Sequence, residues 1–350
     1  MKKIKIGERW VGDGAPVYII AEIGSNFDGG KERAKMLINL AKDCGADAVK
    51  FQCFITDKII SKEGFEGLKV SFQKKWGKSV YEVYKDAEFP REWHDELFKY
   101  AMKKNLHFLS SPYDFESVDM LDELNVPLFK IGAGDITWHE MLRYIAKKNR
   151  PIILSTGAST ISEIDEALRT IRSEGTDEII LLQCVTNYPS NFESANIRAM
   201  KTMGELFDVP VGYSDHTPGI IVPLGAVALG ACVIEKHFTD DKTRKGPDHP
   251  FAMDPRDFKE MVDDIRLLEK ALGSPVKRLY GEEKETVILQ RRCLRAAKEI
   301  PKGSKITEDM IDVLRPLAKD SVEPKYKEIV VGREVKVDMK KGDPFTWDKI

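Results

Sequence analysis

The sequence predicts a (β/α)8 barrel, the TIM-barrel architecture, followed by a small β-rich domain. Three observations predict it. Apolar runs of strand length alternate with stretches of helical spacing about eight times over roughly 270 residues. No GxGxxG follows the first run, as an open doubly wound sheet would favour. The rhythm stops near Gly273, and the remaining chain is short and differently patterned.

The predicted strands cover residues 17–21, 46–51, 107–109, 127–131, 151–154, 178–182, 209–213 and 232–235. Helical spacing fills 32–44, 91–104, 115–124, 139–148, 161–173 and 257–272. Ser159 or Thr160 is placed to cap the helix containing Glu163, and Gly273 follows the last long helix. The barrel is therefore assigned to residues 1–273. Polar, charged residues 274–288 read as a linker, and 289–350 as the small domain. In that domain short apolar stretches near 294–297, 306–307 and 335–337 are punctuated by turns at Lys302-Gly303 and Lys341-Gly342. A domain of roughly 60 residues has a marginal core, so it is expected to dock on the barrel or on a second subunit.

Composition narrows the function classes. The chain has 350 residues, 42% hydrophobic and 32% charged, which suits a soluble globular protein. No apolar run approaches the roughly 20 residues of a membrane span. The start, Met1-Lys2-Lys3-Ile4-Lys5-Ile6, is too charged for a signal peptide, so a cytoplasmic location is expected. A net charge of −2 with interspersed signs argues against nucleic-acid binding. Cys44, Cys53, Cys184, Cys232 and Cys293 are odd in number and widely spaced, and read as buried free thiols.

Barrel enzymes work at the C-terminal ends of their strands. Each predicted strand here ends in functional residue types: Glu22, Lys50 with Gln52, Ser111, Lys130, Ser155, Thr186 with Tyr188, Ser214, and Glu235 with His237. Lys50 and Lys130 lie within apolar strands, where a lysine needs an anion. Ser111, Ser155 and Ser214 can donate to the same anion, and Gly132, Gly134 and Gly157 allow close backbone approach. The arrangement reads as a phosphate or carboxylate site; the alternative pairs each lysine with a strand-end carboxylate. His216 and His237 stand 21 residues apart, one strand-helix unit, and so at adjacent strand ends where they can share a metal ion. With Asp215 and Glu235 close by in sequence, the donors suit Mn²⁺, Zn²⁺ or Fe²⁺ better than Mg²⁺. His94, His107 and His139 read as structural, and His249 is open between the two readings.

At this point the sequence resembles the sialic acid synthase family. The resemblance is carried by Ala21-Glu22-Ile23-Gly24, Val49-Lys50-Phe51-Gln52, Phe129-Lys130-Ile131-Gly132 and Leu154-Ser155-Thr156-Gly157. It continues in Tyr213-Ser214-Asp215-His216-Thr217, Glu235-Lys236-His237-Phe238-Thr239 and Gly246-Pro247-Asp248. The last segment resembles the antifreeze-like (SAF) domain of those enzymes, with Val313-Leu314-Arg315-Pro316 in place. The resemblance implies condensation of phosphoenolpyruvate with an N-acylated amino-sugar aldehyde, giving a nine-carbon ulosonic acid and phosphate. It implies His216 and His237 as ligands of a divalent metal, Mn²⁺ first, with Mg²⁺, Zn²⁺ or Co²⁺ as alternatives. Lys50, Ser111, Lys130, Ser155 and Ser214 match residues that hold phosphoenolpyruvate. Glu22, Gln52, Tyr188, Glu235 and Asp248 match residues facing the sugar. Arg315 matches an arginine that reaches a partner's site in a domain-swapped homodimer.

Departures from the family pattern fall at Phe27, Ala133, Asp135, Thr186 (with Asn187 next to it) and Leu289, most of them near the sugar. Two other readings compete with it: another metal-dependent barrel aldolase or synthase of a 3-deoxy sugar acid, and a non-catalytic sugar- or ice-binding protein.

Overall fold

The fold was analysed in a computed structural model, which describes residues 2–66, 68 and 77–350. The chain divides into two compact units, Met1–Gly273 and Ser274–Ile350.

The first unit opens with an antiparallel hairpin, β1 (Lys3–Ile6) and β2 (Arg9–Gly12). Eight parallel strands follow: β3 (Tyr18–Glu22), β4 (Ala48–Cys53), β5 (His107–Pro112), β6 (Phe129–Ile131), β7 (Ile152–Ser155), β8 (Ile179–Cys184), β9 (Val211–Asp215) and β10 (Val233–His237). Their hydrogen-bonded order is β5-β4-β3-β10-β9-β8-β7-β6. The two end strands, β5 and β6, lie side by side, so the barrel is nearly closed.

Side chains alternate between two buried faces. Ile19, Val49, Phe108, Phe129, Ile152, Leu181, Tyr213 and Ile234 pack outward in the layer shared with the helices. Ile20, Ala48, Leu109, Leu128, Ile153, Ile180, Leu182 and Val233 fill the lumen. Ile4, Ile6 and Val11 of the hairpin join that inner cluster. The hairpin, which strand-helix rhythm does not predict, thus completes the inner core on the side of the strand starts.

Helices form where spacing predicts them, with local signals at their ends. Thr160, not Ser159, caps Ile161–Arg172, in a capping box with Glu163. Gly273, at φ +52°, ends Pro255–Leu272. Helices Val80–Ala87, Ile197–Phe207 and Ile221–Ala228 are additional to the prediction. Among the described residues no helix is long and apolar enough to cross a membrane. All five cysteines are buried and free.

In the second unit part of the expected linker is ordered, as a 3-10 turn at Gly281–Glu283 and a helix at Lys284–Gln290. A two-stranded ladder, β11 (Cys293–Ala296) with β12 (Ile311–Leu314), carries the small core of Leu294, Ile300, Val322, Val330 and Phe345. The stretch around Val335 is flanked by isolated bridges, Lys305 with Glu334 and Ile300 with Met339.

Candidate active site

The alternation that fills the lumen continues to the C-terminal strand ends. Two residues beyond Ile20, Ala48, Leu109, Leu128, Ile153, Leu182 and Val233 come Glu22, Lys50, Ser111, Lys130, Ser155, Cys184 and Glu235. The apolar lumen therefore ends in a charged floor. Strand register sets Glu22 beside both Lys50 and His237, Gln52 beside Ser111, and Ser214 beside Glu235.

On this floor Lys50 lies 2.8 Å from Glu22 and 3.9 Å from Glu235, and Lys130 lies 3.5 Å from Glu235. Each lysine pairs with a strand-end carboxylate, the alternative that the sequence left open. Gln52 donates to Glu22 (2.8 Å), Lys130 to Ser155 (2.8 Å) and Ser214 to Glu235 (2.9 Å).

Burial and charge divide the titration. Burial pushes the Glu22 carboxyl up, against the pull of Lys50, to about 7. Burial also acts on Glu235, but Lys130 and Lys50 outweigh it and hold its carboxyl at about 2. Burial lowers Lys130, whereas Glu22 and Glu235 overcome burial at Lys50 and raise it. Two like charges sharing one lysine separate in this way.

His216 and His237 rise above the floor with ring centroids 5.4 Å apart. Burial, then the neighbouring imidazole, lowers His216 to about 4; burial, then Lys50, lowers His237 to about 3. Both are thus neutral near pH 7, the state that donates a nitrogen lone pair. His216 Nδ1 donates to the Val185 carbonyl (2.8 Å), which fixes its tautomer and leaves Nε2 as the lone-pair nitrogen. His237 Nδ1 is buried without a hydrogen-bond partner, 3.8 Å from Asp248 Oδ2. This donor set fits a divalent cation. Among the described residues no group of three His, Cys, Asp or Glu is gathered for one. An ion held here would keep open positions, as catalytic sites do.

The other expected residues divide by place. Tyr188 packs on His216 with centroids 4.3 Å apart, and Asp248 accepts from the Ser25 amide and hydroxyl. Asp135 ends the 3-10 turn Ala133–Asp135, where burial raises its carboxyl to about 6. Thr186 closes on Gly157: a Cβ there would come within 2.6 Å of Thr186 Cγ2 and 3.3 Å of Cys184 Sγ. Gly24 meets a similar demand, with φ +52° and Asp248 Oδ2 2.8 Å from where its Cβ would stand. Gly134 has open space, so close approach does not explain it. Arg315 belongs to the second unit, where it donates to the Gln290 carbonyl, and Leu289 there is exposed.

Asp215 corrects the expectation of a carboxylate near the metal. It follows Ser214, so alternation turns it out of the lumen, where Lys236 takes it. His249 is structural: it is buried and bonded to Thr239 (2.7 Å) and Asp28 (2.9 Å). His94 bonds Ser110, and His107 bonds Tyr18.

A cavity of about 390 Å³ opens at His237, lined by Gln52, Phe54, Tyr84, Tyr113, Tyr188, Asp248 and Phe251 among others. Sequence reasoning missed Tyr84, Tyr113, Phe251 and Cys184. Continuing the strand alternation reaches Cys184, whereas no local signal marks Tyr84 on its helix.

Fold and site together define a barrel protein with a ligand-sized charged mouth at the strand ends where barrel enzymes work. The chain belongs to the NeuB family, whose model matches residues 37–277, and a SAF domain matches residues 291–350. It is 43% identical to N,N'-diacetyllegionaminic acid synthase of Campylobacter jejuni, covering 85% of this chain and 90% of that one. It is 38% identical to human N-acetylneuraminate-9-phosphate synthase, covering 87% and 85%. Among solved structures it is similar to N-acetylneuraminic acid synthetase of Leptospira borgpetersenii, with TM-score 0.73 and 34% identity over 82% of this chain and 95% of that one.

Proposed function

We propose that this chain condenses phosphoenolpyruvate with the open-chain aldehyde of an N-acylated amino sugar, consuming water and releasing phosphate, to make a nine-carbon ulosonic acid. One observation carries the reading: two buried lysines and a divided carboxylate pair lie directly beneath two neutral imidazoles. Relatives named as legionaminic acid and N-acetylneuraminate-9-phosphate synthases support it.

Lys50 and Lys130 turn from Glu22 and Glu235 to the anionic phosphoenolpyruvate, and Ser111, Ser155 and Ser214 donate to it. The sugar lies above, against Gln52, Tyr188 and Asp248, with Asp135 and Thr186 at its edge. A divalent cation held by His216 and His237, Mn²⁺ first, supplies Lewis-acid polarisation of the aldehyde when bound. C3 of the enol forms the new bond to the aldehyde carbon, and the aldehyde oxygen takes a proton. Water adds at C2, and the C2–O bond to phosphate breaks to leave the ketone. Glu22 exchanges protons in these steps, because burial holds its carboxyl at about 7.

The described lining of the 390 Å³ cavity includes no lysine or arginine. A sugar uncharged at its far end suits it better than a 6-phosphate. The adjoining cavity carries Lys78, Arg244 and Lys245, of which Lys78 pairs with Asp86 and Arg244 with Asp28. We further propose that the protein is a phosphoenolpyruvate-dependent C–C bond-forming transferase of the cytoplasm. It works as a domain-swapped homodimer in which Arg315 serves the partner's site.

The test is phosphate release from phosphoenolpyruvate with Mn²⁺ and a panel of amino sugars and their 6-phosphates. His216→Ala or His237→Ala should lower turnover at least ~100-fold. Activity that survives both changes, or that ignores a chelator, removes the metal from the reading.

A further inference from the structure

Asp215 and Lys236 are buried charges outside the proposed substrate site, with side chains 0% and 1% exposed. Register places them opposite one another on β9 and β10, on the outer face, one residue along from the inner pair Ser214 and Glu235. Each is immediately followed by one of the two imidazoles.

Their hydrogen bonds bracket His216. Lys236 Nζ donates to Asp215 Oδ2 (2.5 Å), to the Thr217 carbonyl and to the Gly219 carbonyl (3.4 Å). Asp215 Oδ1 accepts from the Thr217 amide (2.9 Å) and hydroxyl (2.8 Å). The backbone on either side of His216 is thereby tied to the residue preceding His237. A buried ion pair adds little net stability compared with apolar packing, because desolvating two charges offsets their attraction. Fixed geometry is what such a pair provides.

We infer that Asp215 and Lys236 form a positioning clasp that holds His216 and His237 at the separation a shared divalent cation requires. The inference rests on the reading of these histidines as metal ligands, and neither clasp residue is itself a ligand.

The test uses the full chain, stripped of metal and titrated with Co²⁺, read by visible d–d absorption. The main variant is Asp215→Asn/Lys236→Met, which leaves no buried charge unpaired. It should fold by circular dichroism, bind Co²⁺ roughly 10–100-fold more weakly, and show an altered d–d spectrum. Leu168→Ala, a buried core change distant in sequence from the clasp, should lose thermal stability yet keep the wild-type affinity and spectrum. A folded double variant with wild-type affinity and spectrum overturns the clasp. Should the double variant not fold, Lys236→Arg keeps the charge but alters the reach; its unchanged spectrum likewise overturns the clasp. Wild-type protein whose Co²⁺ spectrum persists in His216→Ala and His237→Ala overturns the metal reading instead, and the clasp with it.

Discussion

At the residue scale, burial raises each carboxyl and the placement of the lysines decides which one stays up. Glu22 and Glu235 share Lys50, yet one carboxyl is pushed up to about 7 and the other held at about 2, because Lys130 forms its ion pair with Glu235. Asp135 shows burial acting alone, with its carboxyl raised to about 6. The consequence for stability has a definite sign. Below the ordinary range of an aspartate both folded and unfolded chains hold the proton, so nothing is lost. As pH rises from about 4 to about 6 the unfolded chain ionises first, the folded chain holds more protons, and stability falls. Asp135→Asn should therefore melt with the wild type at pH 4 and above it at pH 7. Melting curves across that window check this, and equal melting temperatures at pH 7 would remove burial as the cause.

At the element scale, the strand ends and the leading hairpin are both set by packing. Gly157, just after β7, leaves room for Cys184 at the end of β8 and Thr186 beyond it. Gly157→Ala should raise the KM for the amino sugar roughly tenfold by displacing them, a shift of about 1.4 kcal/mol. Thr186→Ser removes the methyl that a new Cβ would strike, so the double variant should recover most of the loss. A double-mutant cycle on KM measures this coupling, and additive effects would argue against steric contact. Ile6 belongs to the inner cluster and is fully buried. Ile6→Ala should cost roughly 2–5 kcal/mol by denaturant unfolding, with the KM values of the folded fraction unchanged.

At the scale of the whole molecule, the chain divides into two compact units, with the ionisable floor in Met1–Gly273 and Arg315 in Ser274–Ile350. In a domain-swapped homodimer the floor and the Arg315 of one site come from different chains. His237→Ala and Arg315→Ala should then each be nearly inactive, while an equal mixture after subunit exchange regains about a quarter of wild-type turnover, since half the dimers carry one complete site of two. Phosphate release before and after exchange measures it. No recovery, alongside a dimer in light scattering, would place each Arg315 with its own chain.

The sequence by itself determined the barrel, since each alternation of strand and helix is local and periodic. It also determined the ring of polar strand ends, for these follow from the same alternation. It marked Lys50 and Lys130 because a lysine in an apolar strand is costly to bury. The hairpin escaped it, because short strands without a helical partner carry no such rhythm. Only tertiary structure decided that Asp215 turns to Lys236 and away from the histidines, since sequence proximity to His216 says nothing of which face a residue occupies until the register is known. It alone decided the division of Glu22 from Glu235 and the aromatic wall of Tyr84 and Tyr113, because desolvation and charge act through space between residues distant in the chain.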